Sequence, residues 1–434
     1  MSNSLIVNQS LNLKGTVRLS GAKNAVLVEM AATLLADGIS ILENVPASQD
    51  IFNMSLLLKD LGASVDFYVD KKILKIDTTK MNSFQVSSER MKKMRASILV
   101  LGPLLVKFLR AQVALPGGCS IGSRPVDYHI KNFQKLGVKF DQKEEFLDAF
   151  VGNFKARDIF LDYPSVGATE NILMAATLIE GQTKIINAAL EPEVLDLVKM
   201  LKKMGANIEI ESPASILVEG VKALNAITHN VMFDRLEAGS LLLAAAVTSG
   251  SIYLPEAEPK NLEAFLYKLE EMGHIIKTSN GGIELIADLE PKAVSIKTHP
   301  YPGFPTDLQA PMMLAQCLAN GESVIEETVF ENRMLHAHEL NKMGAKIKVT
   351  GNSAFITGVK KLHGSNVLAS DIRASCALVL AGLVAEGQTV VDGLHHFKRG
   401  YDLLDYKLQQ LGANIFNSEV VKVNKASASE EVMI

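Results

Sequence analysis

The 434-residue chain has almost no net charge: 44 basic and 48 acidic residues leave a formal charge of −4. No global field therefore recruits nucleic acid or an anionic membrane surface, and any anion binding must come from a local cluster. Cysteine is scarce and odd in number, at Cys119, Cys317 and Cys376, and the start Met1-Ser2-Asn3-Ser4 has no basic, apolar leader. A disulfide framework and export are not expected, and a reducing cytoplasm is. Long apolar runs are missing too. The strongest, Ala377 to Ala385, is far too short to span a bilayer, and Lys107 and Arg110 interrupt the stretch from Ile98 to Leu115. The nine histidines show no metal-ligand spacing; His336 with His338, and His395 with His396, are near misses that no Cys/His/carboxylate set completes. No Walker or dinucleotide glycine pattern occurs. Neither a metal nor a cofactor is expected.

What the chain does have is a hidden repeat. An amphipathic helix closing on Leu or Met, then Gly, then a β-rich run recurs at Gly62, Gly137, Gly205, Gly273, Gly344 and Gly412, with separations of 75, 68, 68, 71 and 68 residues. The preceding helices carry apolar residues at helical spacing, as in Met54, Leu57, Leu58, Leu61, in Val194, Leu197, Val198, Leu201, and in Tyr401, Leu404, Leu408, Leu411. Glycine is the usual left-handed stop for such a helix. Upstream in each unit lies an Ala/Leu-rich helix without a polar face, which has to be buried. This predicts an α/β fold with those helices inside, and mixed sheet with the amphipathic helices outside, three units in each of two domains. The polar segment from Asn417 to Ile434 reads as a disordered tail.

Polar residues concentrate where the apolar helices begin: Ser20-Gly21-Ala22-Lys23-Asn24, Met94-Arg95-Ala96-Ser97, Ser165-Val166-Gly167-Ala168-Thr169, Pro305-Thr306-Asp307 and Asp371-Ile372-Arg373. Capping explains the Ser, Thr and Asp residues. It does not explain Lys23, Arg95 and Arg373, because a cation there opposes the helix dipole at a cost of up to about 1 kcal/mol. Such placements make sense if an anion is held by N–H groups and cations together. Loops after the strands add Arg124, Arg333 and Arg399, so an anion site assembled from both halves is expected. Asp307 has two readings: a carboxylate facing that cluster and serving as base for a hydroxyl, or simply the N-cap of a helix Leu308 to Leu318. In the second unit alone the loop after the strand Ala111–Leu115 is altered, to Pro116-Gly117-Gly118-Cys119-Ser120-Ile121-Gly122-Ser123-Arg124-Pro125-Val126-Asp127. Its glycines let the backbone approach a bound group closely, and Cys119 beside basic residues leans towards thiolate. Cys317 and Cys376 lie in apolar helices and read as inert core.

From about residue 5 to 416, the motifs above, with Glu331-Asn332-Arg333 and Arg399-Gly400-Tyr401, resemble the UDP-N-acetylglucosamine 1-carboxyvinyltransferase family of enolpyruvyl transferases. The resemblance implies a two-domain inside-out α/β barrel of six units of roughly 70 residues. One domain is residues 1–22 with 232–416 and the other residues 23–231. It also implies transfer of the enolpyruvyl group of phosphoenolpyruvate to the 3-hydroxyl of UDP-N-acetylglucosamine with release of phosphate, the first committed step of peptidoglycan synthesis, by a monomer with no cofactor. Lys23, Arg124 and Arg399 match positions on the phosphate of phosphoenolpyruvate, joined by Asn24, with Arg333 and Arg373 towards its carboxylate. Asn24, Arg95, Arg124, Pro125, Val126, Asp127, Tyr128, Tyr163, Pro164, Ser165, Val166, Gly167, Asp307 and Val329 match positions around the UDP-sugar. Cys119 matches the proton donor and fosfomycin target, and Asp307 the group that takes the hydroxyl proton. Tyr128 stands where a smaller aliphatic residue is common, Tyr163-Pro164 is one of two usual variants, and Leu190 stands where a basic residue is frequent; these bear only on nucleotide contacts and on conformational coupling through the Leu190 loop. Two other readings are a nucleotide-sugar-binding paralogue without activity, and the shikimate-pathway transferase. The latter carries a Gly-Ser-Lys-Ser type motif where this chain has Lys23-Asn24-Ala25.

Overall fold

The computed structural model describes residues 4–86, 94–114, 126–143, 146–278 and 281–418. These form two compact units, residues 20–233 and residues 4–19 with 234–418. No helix among the described residues is long and apolar enough to cross a membrane.

In the 20–233 unit the helices are α1 (Lys23–Ala32), α2 (Gln49–Asp60), α3 (Leu101–Phe108), α4 (Asp127–Lys135), α5 (Val166–Ala176) and α6 (Pro192–Met204). Every residue of α1 except Asn24 is buried, and α5 is buried from Ala168 to its end. These are the helices whose sequence offers no polar face, and burial is the only stable placement for them. The amphipathic α6 instead buries Val194, Leu197, Val198 and Leu201 and leaves Lys202 and Lys203 at the solvent side. Two mixed sheets and one antiparallel sheet pack on this core. Gln182–Ile186 pairs in parallel with Asp158–Phe160 and antiparallel with Ser215–Glu219, placing buried Thr183 and Ile185 opposite buried Val218 and Ile216. Ile39–Glu43 is bracketed in the same way by Thr228–Asn230 and Ile73–Asp77. Arg110–Ala114 pairs with Phe146–Val151, which pairs with Val138–Gln142.

The other unit follows the same plan with α7 (Arg235–Val247), α8 (Glu263–Glu271), α9 (Gln309–Leu318), α10 (His336–Lys342), α11 (Ile372–Val384), α12 (Leu394–Gly400) and α13 (Leu404–Gln410). The apolar helices α7, α9 and α11 pack on one another, and Leu241 to Leu243 and Ala377 to Leu380 are at most 1% exposed. Leu5–Asn8 lies between Gln388–Asp392 and Asn414–Asn417, joining the start of the described chain to its end. Cys317 and Cys376 are buried in α9 and α11, and burial pushes the Cys317 thiol up to about 12, which makes it inert as expected.

Three local expectations need correction. Tyr401 does not start the last amphipathic helix: α13 begins at Leu404 after Leu403 turns left-handed at φ 53°, and Tyr401 is released to pack elsewhere. Arg399 lies in α12 rather than in a loop. Asn417, the expected first residue of the tail, closes a strand opposite Leu5, while residues from 419 on lie outside the described residues.

The six helix-stopping glycines all adopt positive φ, between 94° and 108°. They differ in surroundings: a Cβ at Gly137 would sit 2.0 Å from the Asn153 carbonyl oxygen, whereas one at Gly412 meets nothing within 4 Å. Gly412→Ala is expected to cost only the backbone strain, about 1–2 kcal/mol. Gly137→Ala adds a clash with main chain and should cost clearly more. Chemical denaturation of both variants measures the difference, and equal losses would refute the role assigned to Asn153.

Candidate functional site

The site in the 234–418 unit is built around Asp307. Thr306–Leu308 forms a 3-10 turn leading into α9, so Asp307 lies within the turn and its side chain caps nothing. The capping alternative fails, and the carboxylate is free for other partners. Arg333 donates from Nη2 to Oδ1 at 2.6 Å, and Arg373 donates from Nη2 to Oδ2 at 2.7 Å. Both arginine side chains are 5% exposed and Asp307 is 25% exposed. Burial alone would raise Asp307. The charges and hydrogen bonds of Arg373 and Arg333 overrule it and hold the carboxyl well below its ordinary range.

Each guanidinium is fixed by more than its ion pair. Arg333 also donates from Nη1 to Thr306 Oγ1 at 2.8 Å and lies 5.0 Å over the Phe330 ring. Arg373 lies 5.3 Å over the ring of Tyr401, whose hydroxyl shares a 2.9 Å hydrogen bond with Ser240. Asp371 caps α11, accepting from the backbone N–H groups of Arg373 and Ala374. Behind Arg333, burial takes His336 down to about 4, so at neutral pH this imidazole adds no third positive charge. Two buried cations thus share one partly open carboxylate, with Asp371 and Asp234 acting on them from further off, and their planar forks suit a small carboxylate. Val329 is half-buried close by in sequence, and Arg399 is half-buried in α12.

In the 20–233 unit, Lys23 opens α1 and donates to Asp50 at 3.1 Å, both side chains being at least nine-tenths buried. Asn24 is exposed beside it. Val126 and Asp127 start α4, and Tyr128 stacks on Tyr163 with ring centroids 6.3 Å apart. Pro164 leads to Ser165, whose hydroxyl caps α5 by accepting from Ala168 N–H. Val166 and Gly167 open that helix, and a Cβ at Gly167 would touch the His129 ring at 3.5 Å. Arg95 opens a 3-10 turn, but its side chain, like Cys119, Arg124 and Pro125, lies outside the described residues. The sequence reading did not single out Asp50, Thr306, Glu327 or Tyr401 as site residues. Asp50 and Glu327 are ordinary acidic residues in sequence, and only their burial marks them.

Among the described residues, one His/carboxylate group is close enough to share an ion: Glu29, Asp196 and His229. His229 Nε2 lies 3.3 Å from Asp196 and 3.4 Å from Glu29, and Lys203 Nζ is 3.4 Å from Nδ1. Burial by itself would push His229 down, but its hydrogen bond to Asp196 and its closeness to Glu29 take it up to about 9, while burial takes Glu29 up to about 7. A proton therefore already occupies Nε2 at neutral pH, and Lys203 supplies further positive charge. A metal ion would have to displace that proton, so we read the group as an ionic lock joining α1, α6 and the strand Thr228–Asn230.

The family profile described as EPSP synthase (3-phosphoshikimate 1-carboxyvinyltransferase) matches residues 7–408. The chain is 47% identical over 412 residues to a UDP-N-acetylglucosamine 1-carboxyvinyltransferase of Thermodesulfovibrio yellowstonii, covering 95% of this chain and 98% of that one. It is 48% identical over 413 residues to the protein of the same name from Shewanella woodyi, with the same coverage. Among solved structures it is similar to the enolpyruvyl transferase NikO from Streptomyces tendae, with a TM-score of 0.88 at 22% identity over 96% of this chain and 99% of that one. An EPSP synthase from Acinetobacter baumannii follows, with a TM-score of 0.74 at 17% identity over 96% and 100%. At those identities the structures establish the mixed α/β fold alone.

The Asp307 clasp makes stability depend on pH with a definite sign. A carboxyl depressed below its ordinary 3.8 lends stability that is complete above about pH 4 and disappears as pH falls through the lowered value. Asp307→Asn should lose about 1–3 kcal/mol at pH 7 and show a shallower further loss between pH 4 and 2. Parallel acid limbs for the two proteins in denaturant titrations would contradict the clasp.

Proposed function

Because the chain belongs to the EPSP synthase family and its near-full-length relatives are UDP-N-acetylglucosamine 1-carboxyvinyltransferases, we propose that it transfers the enolpyruvyl group of phosphoenolpyruvate to the 3-hydroxyl of UDP-N-acetylglucosamine. Phosphate is released, and the reaction serves peptidoglycan synthesis in the cytoplasm. The observation that carries the mechanism is the carboxylate of Asp307 held between Arg333 and Arg373.

The hydroxyl oxygen of the sugar bonds to C2 of phosphoenolpyruvate while its proton passes to Asp307, and C3 takes a proton from the Cys119 thiol. The tetrahedral phospho-ketal then loses a C3 proton and phosphate, leaving the enol ether. Arg333 and Arg373 take the substrate carboxylate; Lys23, Asn24, Arg124 and Arg399 take the phosphate. Asn24, Arg95, Arg124 to Tyr128, Tyr163 to Gly167 and Val329 hold the UDP-sugar. These roles come from the family motifs, and the stacked Tyr128 and Tyr163 pair supports the last of them by offering an aromatic face.

The clasp also gives Asp307 a timing. Paired to two arginines, it is too weak a base to take a hydroxyl proton. An arriving carboxylate competes for both guanidinium groups and restores the basicity of Asp307 only when the reaction partner is in place. No metal is required, since arginine and lysine supply the positive charge. We infer further that each block of buried helix, mixed sheet and amphipathic helix is one copy of a unit of roughly 70 residues, three to each domain of an inside-out α/β barrel. The recurrence of the same strand pairing in sheet after sheet supports this. The protein acts as a monomer.

Purified protein given both substrates is expected to release phosphate in step with loss of phosphoenolpyruvate. Sugar-nucleotide binding without phosphate release would instead indicate a binding protein. Asp307→Ala should lower kcat by about a thousandfold with the fold retained, and near-normal turnover would remove Asp307 as the proton acceptor. Fosfomycin should add mass at Cys119, and an unmodified thiol in an active enzyme would refute its assigned reactivity.

A further inference from the structure

We propose that Glu327 is a positioning residue for this reaction: through Thr306 and the Val329-Phe330 backbone it fixes Arg333 against Asp307. The inference rests on reading Asp307 as the proton acceptor.

Glu327 directly follows the strand Glu322–Glu326, and only 2% of it is exposed. Its carboxylate accepts four hydrogen bonds, all from neutral donors. Oε1 takes the Thr298 hydroxyl at 2.9 Å and the backbone N–H groups of Val329 at 2.8 Å and Phe330 at 3.1 Å; Oε2 takes the Thr306 hydroxyl at 2.8 Å. A buried carboxylate satisfied this way is a rigid hub, because each bond is charge-assisted and none is exchanged with water.

The direction of the next link is fixed by chemistry. Arg333 Nη1 approaches Thr306 Oγ1 at 2.8 Å, and a guanidinium can only donate. The single hydroxyl proton of Thr306 must therefore point to Glu327. Arg333 has three restraints: Thr306 on Nη1, Asp307 on Nη2 and the Phe330 ring beneath it. Glu327 governs two of them, the hydroxyl by orienting its proton and the ring by holding the Phe330 backbone. The buried Nε of Arg333 makes no hydrogen bond, so the fork has no other anchor along its edge. The run Arg333 to Thr306 to Glu327 therefore sets how squarely Nη2 meets Asp307, and an error of about 1 Å at such a contact is enough to cost about a hundredfold in rate.

Glu327→Gln is the informative change because it keeps the shape and inverts the relay. Three donors converge on the position of Oε1, so the new carbonyl must occupy it and the amide NH2 must face Thr306. The Thr306 hydroxyl then meets two donors, and its own proton has no acceptor. Thr306→Val breaks the same link without altering Glu327, and Thr306→Ser restores it.

The test is steady-state kinetics across pH on the full-length enzyme. Glu327→Gln and Thr306→Val should each lower kcat by about 10- to 100-fold and raise the KM for phosphoenolpyruvate, with the KM for the sugar nucleotide changed less than about threefold. The acid limb of kcat/KM, which reports the free enzyme, should move to higher pH, because a loosened Arg333 no longer holds the Asp307 proton affinity down. Thr306→Ser should recover to within about threefold of wild type. With Arg333→Lys already in place, Glu327→Gln should add less than about twofold. An unshifted acid limb and wild-type kcat in Glu327→Gln, alongside an inactive Asp307→Asn, would overturn the proposal, as would a full additional loss on Arg333→Lys. If Asp307→Asn stays active, the acceptor reading is what fails, and non-additivity with Arg333 alone decides the role of Glu327. If Glu327→Gln does not fold, Thr306→Val carries the same two outcomes.

Discussion

One carboxylate shared by two buried guanidinium groups is the interaction on which the 234–418 unit turns. Arg333 and Arg373 are each 5% exposed, and a buried arginine without a partner costs several kcal/mol. Asp307 is that partner for both. The turn before α9, the turn carrying Arg333 and the start of α11 are thus held to one point by charge, although they are far apart in sequence. The same interaction works against chemistry, since a doubly paired carboxylate binds protons poorly. The two demands are reconciled if the pairing lasts only while the arginines have no other anion. Stability then belongs to the empty protein and basicity to the loaded one.

The position of this cluster follows from the helices. α7, α9 and α11 have no polar face, and neither do α1 and α5, so their sides are committed to packing. The body of such a helix leaves little room for polar groups, Glu29 of α1 and Glu170 of α5 being buried exceptions, and the first turn, where N–H groups lack intrahelical partners, is the more open place for them. Lys23, Ser165, Asp307 and Arg373 all occupy or adjoin first turns. Putting a cation there is unfavourable to the helix dipole. The structure answers that penalty with a carboxylate at two of these sites, Asp50 for Lys23 and Asp307 for Arg373.

These first-turn residues were legible in the sequence because capping accounts for Ser and Asp and leaves Lys and Arg unexplained. The buried helices were legible too, since Leu241 to Ala246 or Ala377 to Ala381 read the same in every direction around the helix. The hidden part is whatever depends on contacts between segments remote in sequence. Asp307 fits equally well as cap or acceptor until Arg333 and Arg373 are seen on its two oxygens. Tyr401 keeps helical spacing with Leu404 and Leu408, yet the left-handed Leu403 cuts it off and frees its ring to lie under Arg373. Glu29, Asp196 and His229 carry no recognisable spacing, because three separate elements supply them. Glu327 is one of a run of glutamates, and nothing in its neighbours foretells that it alone turns inward.

The two kinds of cation differ in their partners and in their chemistry. Lys23 donates to Asp50 at 3.1 Å, with both side chains at least nine-tenths buried. Arg333 and Arg373 share Asp307, which is a quarter exposed, while Asp371 and Asp234 act on the same two arginines from further off. Guanidinium also surrenders hydration more readily than ammonium and offers a planar fork that fits a carboxylate. A carboxylate that exchanged for Asp307 at these two forks would keep both guanidinium groups paired and free the base in the same step.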